Sequence, residues 1–128
     1  MADPKLHSRK TEMLRIVTVF DGFMNYIEPI THTMPRRYSR MRDAFLDVMW
    51  RVPEQLYAAA MSDQVGKVHH ADAMLATLRW FLRQMKHPDR RMITAHQQEV
   101  AETKLAEVGG MIHAWLERKG ATKRQGKA

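Results

Sequence analysis

Apolar positions recur at three- and four-residue steps in four stretches, and no stretch keeps the two-residue alternation of a half-buried strand. In the first, Met13, Ile16, Val17, Phe20, Phe23, Met24 and Ile27 make one stripe, which predicts a helix from about Ser8 to His32. Pro29 should bend or loosen its last turn. The second stripe is Met41, Phe45, Val48, Met49, Val52, Leu56 and Ala59, on a helix that starts after Pro35, near Ser39, and runs to about Met61. Pro53 lies inside it and predicts a kink, because its ring crowds the preceding turn and it has no amide to donate. A third helix is expected after Ser62-Asp63-Gln64, with Ser62 or Asp63 as its cap, ending near His87-Pro88. Thr94 is the expected N-cap of a fourth, which carries Val100, Leu105, Val108, Met111, Ile112, Trp115 and Leu116 and runs to about Lys119. Gly120 has the place of a C-cap. Residues 120–128, "GATKRQGKA", have no large apolar side chain and are expected to form a basic, disordered tail outside a folded unit of residues 1–119. Short connections between long amphipathic helices place neighbours antiparallel, so the fold class expected is all-α, an up-down-up-down four-helix bundle.

Two helices carry more apolar surface than one core needs. On the third, Ala71, Leu75, Leu78, Leu82 and Met85 share the core arc, and Trp80 falls almost opposite it, among Ala73, Ala76 and Thr77. On the second, Leu46, Trp50 and Tyr57 are displaced from the core stripe. A single exposed tryptophan needs no explanation, but aromatic second faces on two helices predict subunit packing through Trp50, Tyr57 and Trp80. Coverage of the bundle's own edges in a monomer is the plainer alternative.

Charge narrows the partners. The chain has 21 Lys and Arg against 14 Asp and Glu, a formal net charge of +7. An excess of that size points to a polyanion, most often nucleic acid, where simple solubility is the plainer explanation. The cations fall into three clusters. The first is Arg36, Arg37, Arg40 and Arg42 at the start of the second helix. The second is Arg79, Arg83, Lys86, Arg90 and Arg91, and the third is Arg118, Lys119, Lys123, Arg124 and Lys127. Lys86, Arg118 and Lys119 complement the dipole of a helix C-terminus, whereas Arg36 and Arg37 sit at a helix start, where the dipole disfavours them. Arginine forks suit phosphate oxygens, but no base-reading motif is present. Arg79 and Arg83 lie on the flank between core arc and outer face, where solvation or pairing with Asp72 would be the simplest role.

The absence of cysteine rules out disulfides, a thiolate zinc site and a cysteine nucleophile, and fits a reducing cytoplasm. No apolar run approaches the roughly 20 residues of a membrane span, and the first ten residues hold no signal-peptide core. His69 with Asp72 and His96 with Glu99 have helical ligand spacing, yet the Glu-x-x-His pairs and inward carboxylates of a di-iron bundle are missing. No nucleophile elbow, Walker loop or dinucleotide glycine pattern occurs. No enzyme activity, metal or cofactor is expected; a small metal-dependent enzyme is the most distant alternative.

The segments "SDQVGKVHHADAMLATLRWFLR" (62–83) and "TAHQQEVAETKLAEVGGMIHAWL" (94–116), and more weakly "YIEPITHTMPRRYSRMRDAFL" (26–46), closely resemble the accessory variability determinant (Avd) proteins of diversity-generating retroelements. Avd proteins in turn look like the four-helix proteins encoded by intervening sequences of 23S ribosomal RNA genes, which bind RNA without a reverse transcriptase partner and are the second candidate family. The Avd resemblance implies a four-helix bundle assembled as a homopentameric barrel with a basic surface. It also implies a non-catalytic accessory that binds the element's reverse transcriptase and nucleic acid, both RNA and DNA, with little sequence selectivity. Such a protein supports error-prone copying of a template RNA at adenines and retrohoming of the cDNA, in the bacterial cytoplasm. In this family the LR-x-x-LR run supplies partner contacts, which Arg79 and Arg83 match, and Trp80 would help adjoin subunits.

Overall fold

The computed structural model describes residues 4–62 and 64–126, and the side chains of residues 8–118 other than positions 9 and 63. Four helices follow one another: α1 (Pro4–Thr31), α2 (Ser39–Ser62), α3 (Val65–Lys86) and α4 (Ala95–Gly126), with a short 3₁₀ turn, Arg36–Tyr38, leading into α2. No strand occurs among the described residues. Each helix packs on its neighbours in the chain and α4 closes back on α1, while the diagonal pairs stay apart, so all four surround one core.

The stripes account for that core. Met13, Ile16, Phe20, Phe23 and Ile27 of α1, Phe45, Met49, Val52 and Leu56 of α2, Leu75, Leu78, Leu82 and Met85 of α3, and Leu105, Val108 and Ile112 of α4 are fully buried. Removing such side chains from water stabilises the fold by roughly 1.5–3 kcal/mol each. The aromatic members are linked: ring centroids lie 5.6 Å apart for Phe20–Phe23, 6.4 Å for Phe23–Phe45 and 5.8 Å for Phe45–Phe81, running from α1 through α2 to α3. Trp80 ends the series, edge-on to Phe81 at 5.1 Å.

Element ends differ from expectation where local chemistry lost to context. Thr94 caps α4 as its type predicts: its Oγ1 accepts from the Gln97 amide and its own amide donates to Gln97 Oε1, both at 3.0 Å, a reciprocal capping box. Ser62 does not cap α3. It is the last residue of α2, its Oγ is buried without a hydrogen-bond partner, and Gln64 takes the N-cap position with no side-chain bond. Asp63 lies outside the described residues. Pro53 leaves α2 a single element from Ser39 to Ser62, and α1 likewise runs through Pro29. The stop expected at Gly120 is not taken: α4 continues to Gly126, through Ala, Lys, Arg and Gln residues that favour helix. The side chains of Lys119, Lys123, Arg124 and Lys127 lie outside the described ones.

Candidate nucleic-acid and partner surfaces

Two clusters that are distant in the chain meet at one end of the molecule. The 3₁₀ turn holding Arg36 and Arg37 adjoins the turn between α3 and α4, where Tyr38 Oη lies 3.5 Å from the Asp89 carbonyl oxygen. This end collects Arg36, Arg37 and Arg40 with Lys86, Arg90 and Arg91. The third cluster is set apart, since Arg118 lies about 35 Å along α4 from Ala95 and pairs with Glu12 near the start of α1. We call the first assembly the basic pole. It was hidden in the sequence because about 50 residues separate its two halves; Tyr38, the contact that joins them, carries no signal of its own.

The cations of the pole have different surroundings. Arg36, Arg37, Arg40, Lys86 and Arg91 are exposed, and the Arg37 guanidinium carbon stacks 4.8 Å above the Tyr38 ring. Arg42 is half-buried and its Nε pairs with Asp43 Oδ1 at 3.1 Å. Arg90 is also half-buried; its Nε donates to the Gln84 carbonyl at 2.6 Å and its Nη2 to Gln84 Oε1 at 2.7 Å. That carbonyl, in the last turn of α3, also accepts from the His87 amide at 3.3 Å, so Arg90 adds a second donor at the helix terminus. Of the acids nearby, Glu28 Oε1 lies 2.6 Å from His32 Nε2, whereas His87 Nδ1 accepts from the Asp89 amide at 3.1 Å and the Asp89 carboxylate stays exposed.

Arg79 and Arg83 stand on the flank of α3 that faces α4. Asp72, on that same flank, does not pair with them; its Oδ2 lies 3.1 Å from His113 Nε2 of α4. Arg79 is half-buried and rests on Gly109 of α4, whereas Arg83 is exposed one turn further on. Beyond them, a shallow groove of about 360 Å³ runs beside Lys86, lined from α4 by Gln98, Glu99, Glu102 and Thr103.

Among the described residues, five large apolar side chains are exposed: Leu14, Trp50, Tyr57, Met61 and Trp80, with 42–57% of each accessible. Trp50, Tyr57 and Met61 recur at seven and four residues, one stripe on α2. Gln55, which reaches the Lys67 carbonyl of α3 at 3.1 Å, is on the other flank of α2, so this stripe is turned away from α3. Trp80 lies on the outer face of α3, so the two tryptophans belong to different sides of the chain. His69 and His70 are exposed on α3, and no group of three or more His, Asp or Glu side chains among the described residues is placed to hold a metal ion. No helix among the described residues is long and apolar enough to cross a membrane.

Four helices around a single core define an all-α protein, with cations gathered at one pole and apolar side chains on two other faces. The family model described as bAvd-like matches residues 14–119, which is most of the chain, and the chain belongs to that family. Membership agrees with the likeness of residues 62–83 and 94–116 to Avd proteins; no relation to the ribosomal intervening-sequence proteins emerges from it. Among curated proteins, none matches the chain.

Proposed function

We propose that this chain is the non-catalytic accessory protein of a diversity-generating retroelement. It binds the element's reverse transcriptase and nucleic acid, template RNA and DNA, and supports mutagenic cDNA synthesis and retrohoming inside a bacterial cell. The observation that carries the reading is the bAvd-like match over residues 14–119. The basic pole supports the nucleic-acid half, because its exposed Arg36, Arg37, Arg40 and Arg91 form no ion pair among the described residues. Arg79 and Arg83, without an ion-pair partner among the described residues, support the reverse transcriptase half.

The up-down order of the helices is part of the same proposal. Pairings such as Phe23 with Phe45, Asp72 with His113 and Glu12 with Arg118 each join the early part of one helix to the late part of its neighbour in the ring. A homopentamer is proposed on the two apolar faces. A ring is built from heterologous contacts, in which one surface of a subunit meets a different surface of the next. The Trp50–Tyr57–Met61 stripe and the Trp80 face, lying on different sides, can serve as such a pair.

The test is cDNA synthesis by the neighbouring reverse transcriptase on its template-repeat RNA, with and without this protein. Adenine-substituted products should require it. Equal yield and equal error spectrum without the protein would overturn the assignment.

A further inference from the structure

The turn between α3 and α4 contains a residue whose backbone and side chain make opposing demands. Arg91 has φ 50°, the left-handed region, and among the described residues it is the only non-glycine with positive φ. L side chains avoid that region because the β-carbon crowds the carbonyl, and glycine or asparagine usually serves there. The turn needs the conformation. The amides of Arg90 and Arg91 both donate to the His87 carbonyl at 2.9 Å, and the Met92 amide then folds back to the Met85 carbonyl at 2.7 Å. This reversal delivers Met92 and Ile93 into the core. The fold therefore requires a left-handed residue at position 91, but no feature of the fold requires an arginine. The side chain is exposed, and its one hydrogen bond, Nε to the Pro88 carbonyl at 3.1 Å, stays within the turn.

We infer that Arg91 is kept at this strained position for its charge, as a phosphate contact of the basic pole, and that neighbouring Arg90 is a brace and not a contact. The inference rests on the nucleic-acid half of the proposed function and assigns it a place. Arg90 spends its fork on Gln84. Arg42 is paired with Asp43 and Glu28 lies against His32, while the Asp89 carboxylate stays exposed in the turn. What faces outward with no ion pair among the described residues is Arg36, Arg37, Arg40, Lys86 and Arg91, drawn together where Tyr38 meets Asp89. Such a surface fits the phosphate backbone of a nucleic-acid strand, which presents regularly spaced charge to several forks at once. Strain retained at an exposed charged residue is the pattern expected where binding, and not folding, selects the side chain.

The experiment compares the wild-type protein with Arg91→Gly, Arg91→Asn, Arg91→Lys and Arg90→Ala. Anisotropy of a labelled 20-nucleotide single-stranded RNA is followed across a salt series, together with thermal melting. Glycine and asparagine should hold or raise the melting temperature, weaken RNA binding about three- to tenfold, and lower the log–log salt slope by about one. Lysine should keep affinity within about twofold with no gain in melting temperature. Arg90→Ala should lower the melting temperature. Two results would overturn the inference: unchanged affinity and slope in Arg91→Gly beside a wild type that binds with strong salt dependence, or a lowered melting temperature in both Arg91→Gly and Arg91→Asn. Equally tight binding of polyglutamate would overturn nucleic acid as the occupant of the pole. A wild-type protein with no salt-dependent RNA binding would instead refute the nucleic-acid half of the proposed function.

Discussion

Arg79 lays its guanidinium against Gly109: a β-carbon placed on that glycine would stand 2.9 Å from Arg79 Nη2. Gly110, the next residue, has nothing within 4 Å of the same construction. One glycine of the pair is therefore a seat for an arginine from the neighbouring helix, and the other is free surface. Glycine in a helix interior costs about 1 kcal/mol relative to alanine. The two positions should respond differently to the same change. Gly110→Ala should stabilise the protein by about 0.5–1 kcal/mol with no effect on partner capture. Gly109→Ala should gain less, because the Arg79 fork must move, and should weaken capture of the reverse transcriptase. Thermal melting and a pull-down on both variants check the contrast; identical behaviour would mean that the seat has no consequence.

Arg79→Ala with Arg83→Ala tests the arginines directly. Both are off the core arc, and Asp72 is occupied by His113, so the double substitution removes no buried ion pair. The melting temperature should change little. Charge-assisted contacts at an interface are worth roughly 1.5–3 kcal/mol each, so capture of the reverse transcriptase or its RNA should fall at least about tenfold. Glutamate at both positions should do more. Equal capture, with oligomer mass and helicity matched, would shift the partner surface to Arg36, Arg37 and Arg40.

Thr94 is the clearest local anchor of α4. Thr94→Ala removes the acceptor for the Gln97 amide and the return bond loses its geometry. A loss of about 1 kcal/mol is expected in urea unfolding, with an unchanged m-value. Gln97→Ala should cost less, since the threonine hydroxyl still serves its amide.

What could be read from the sequence follows from where periodicity exists. Every α3 residue assigned to the core arc is buried, and Trp80 is exposed where the helical wheel puts it. Met34, Met92 and Ile93 are also buried, but they lie in turns, where no period marks an inward side. Helix starts divided by chemistry: Thr94 has glutamine three residues on and forms the box, while Ser62 is retained as the last turn of α2. Of the surface arginines, sequence showed type and rough face but not use. That Arg90 braces α3, that Arg79 reaches Gly109 and that Tyr38 joins two clusters are tertiary facts. The glycine pair alone carried a hint, since a costly residue inside a helix often marks close approach of a neighbour.

The oligomer prediction depends on the two apolar faces being different surfaces. Trp50 is 53% exposed on the flank of α2 turned away from α3, and Trp80 is 47% exposed on the outside of α3, with its edge on Phe81. In a closed ring each contact uses one copy of both faces, so spoiling either one breaks every contact. Trp50→Glu and Trp80→Glu should therefore each yield monomer by size-exclusion chromatography with light scattering, with helical circular dichroism retained because neither side chain belongs to the core. Mixing the two variants is the discriminating step. Each still offers one intact face, so a heterologous interface predicts a single productive contact and a mass near that of a dimer. An isologous dimer built from one face predicts that only one of the two substitutions has any effect. Wild-type protein running as a monomer at micromolar concentration would remove the assembly from the proposal, and leave Trp80 as the exposed end of an aromatic series that begins at Phe20.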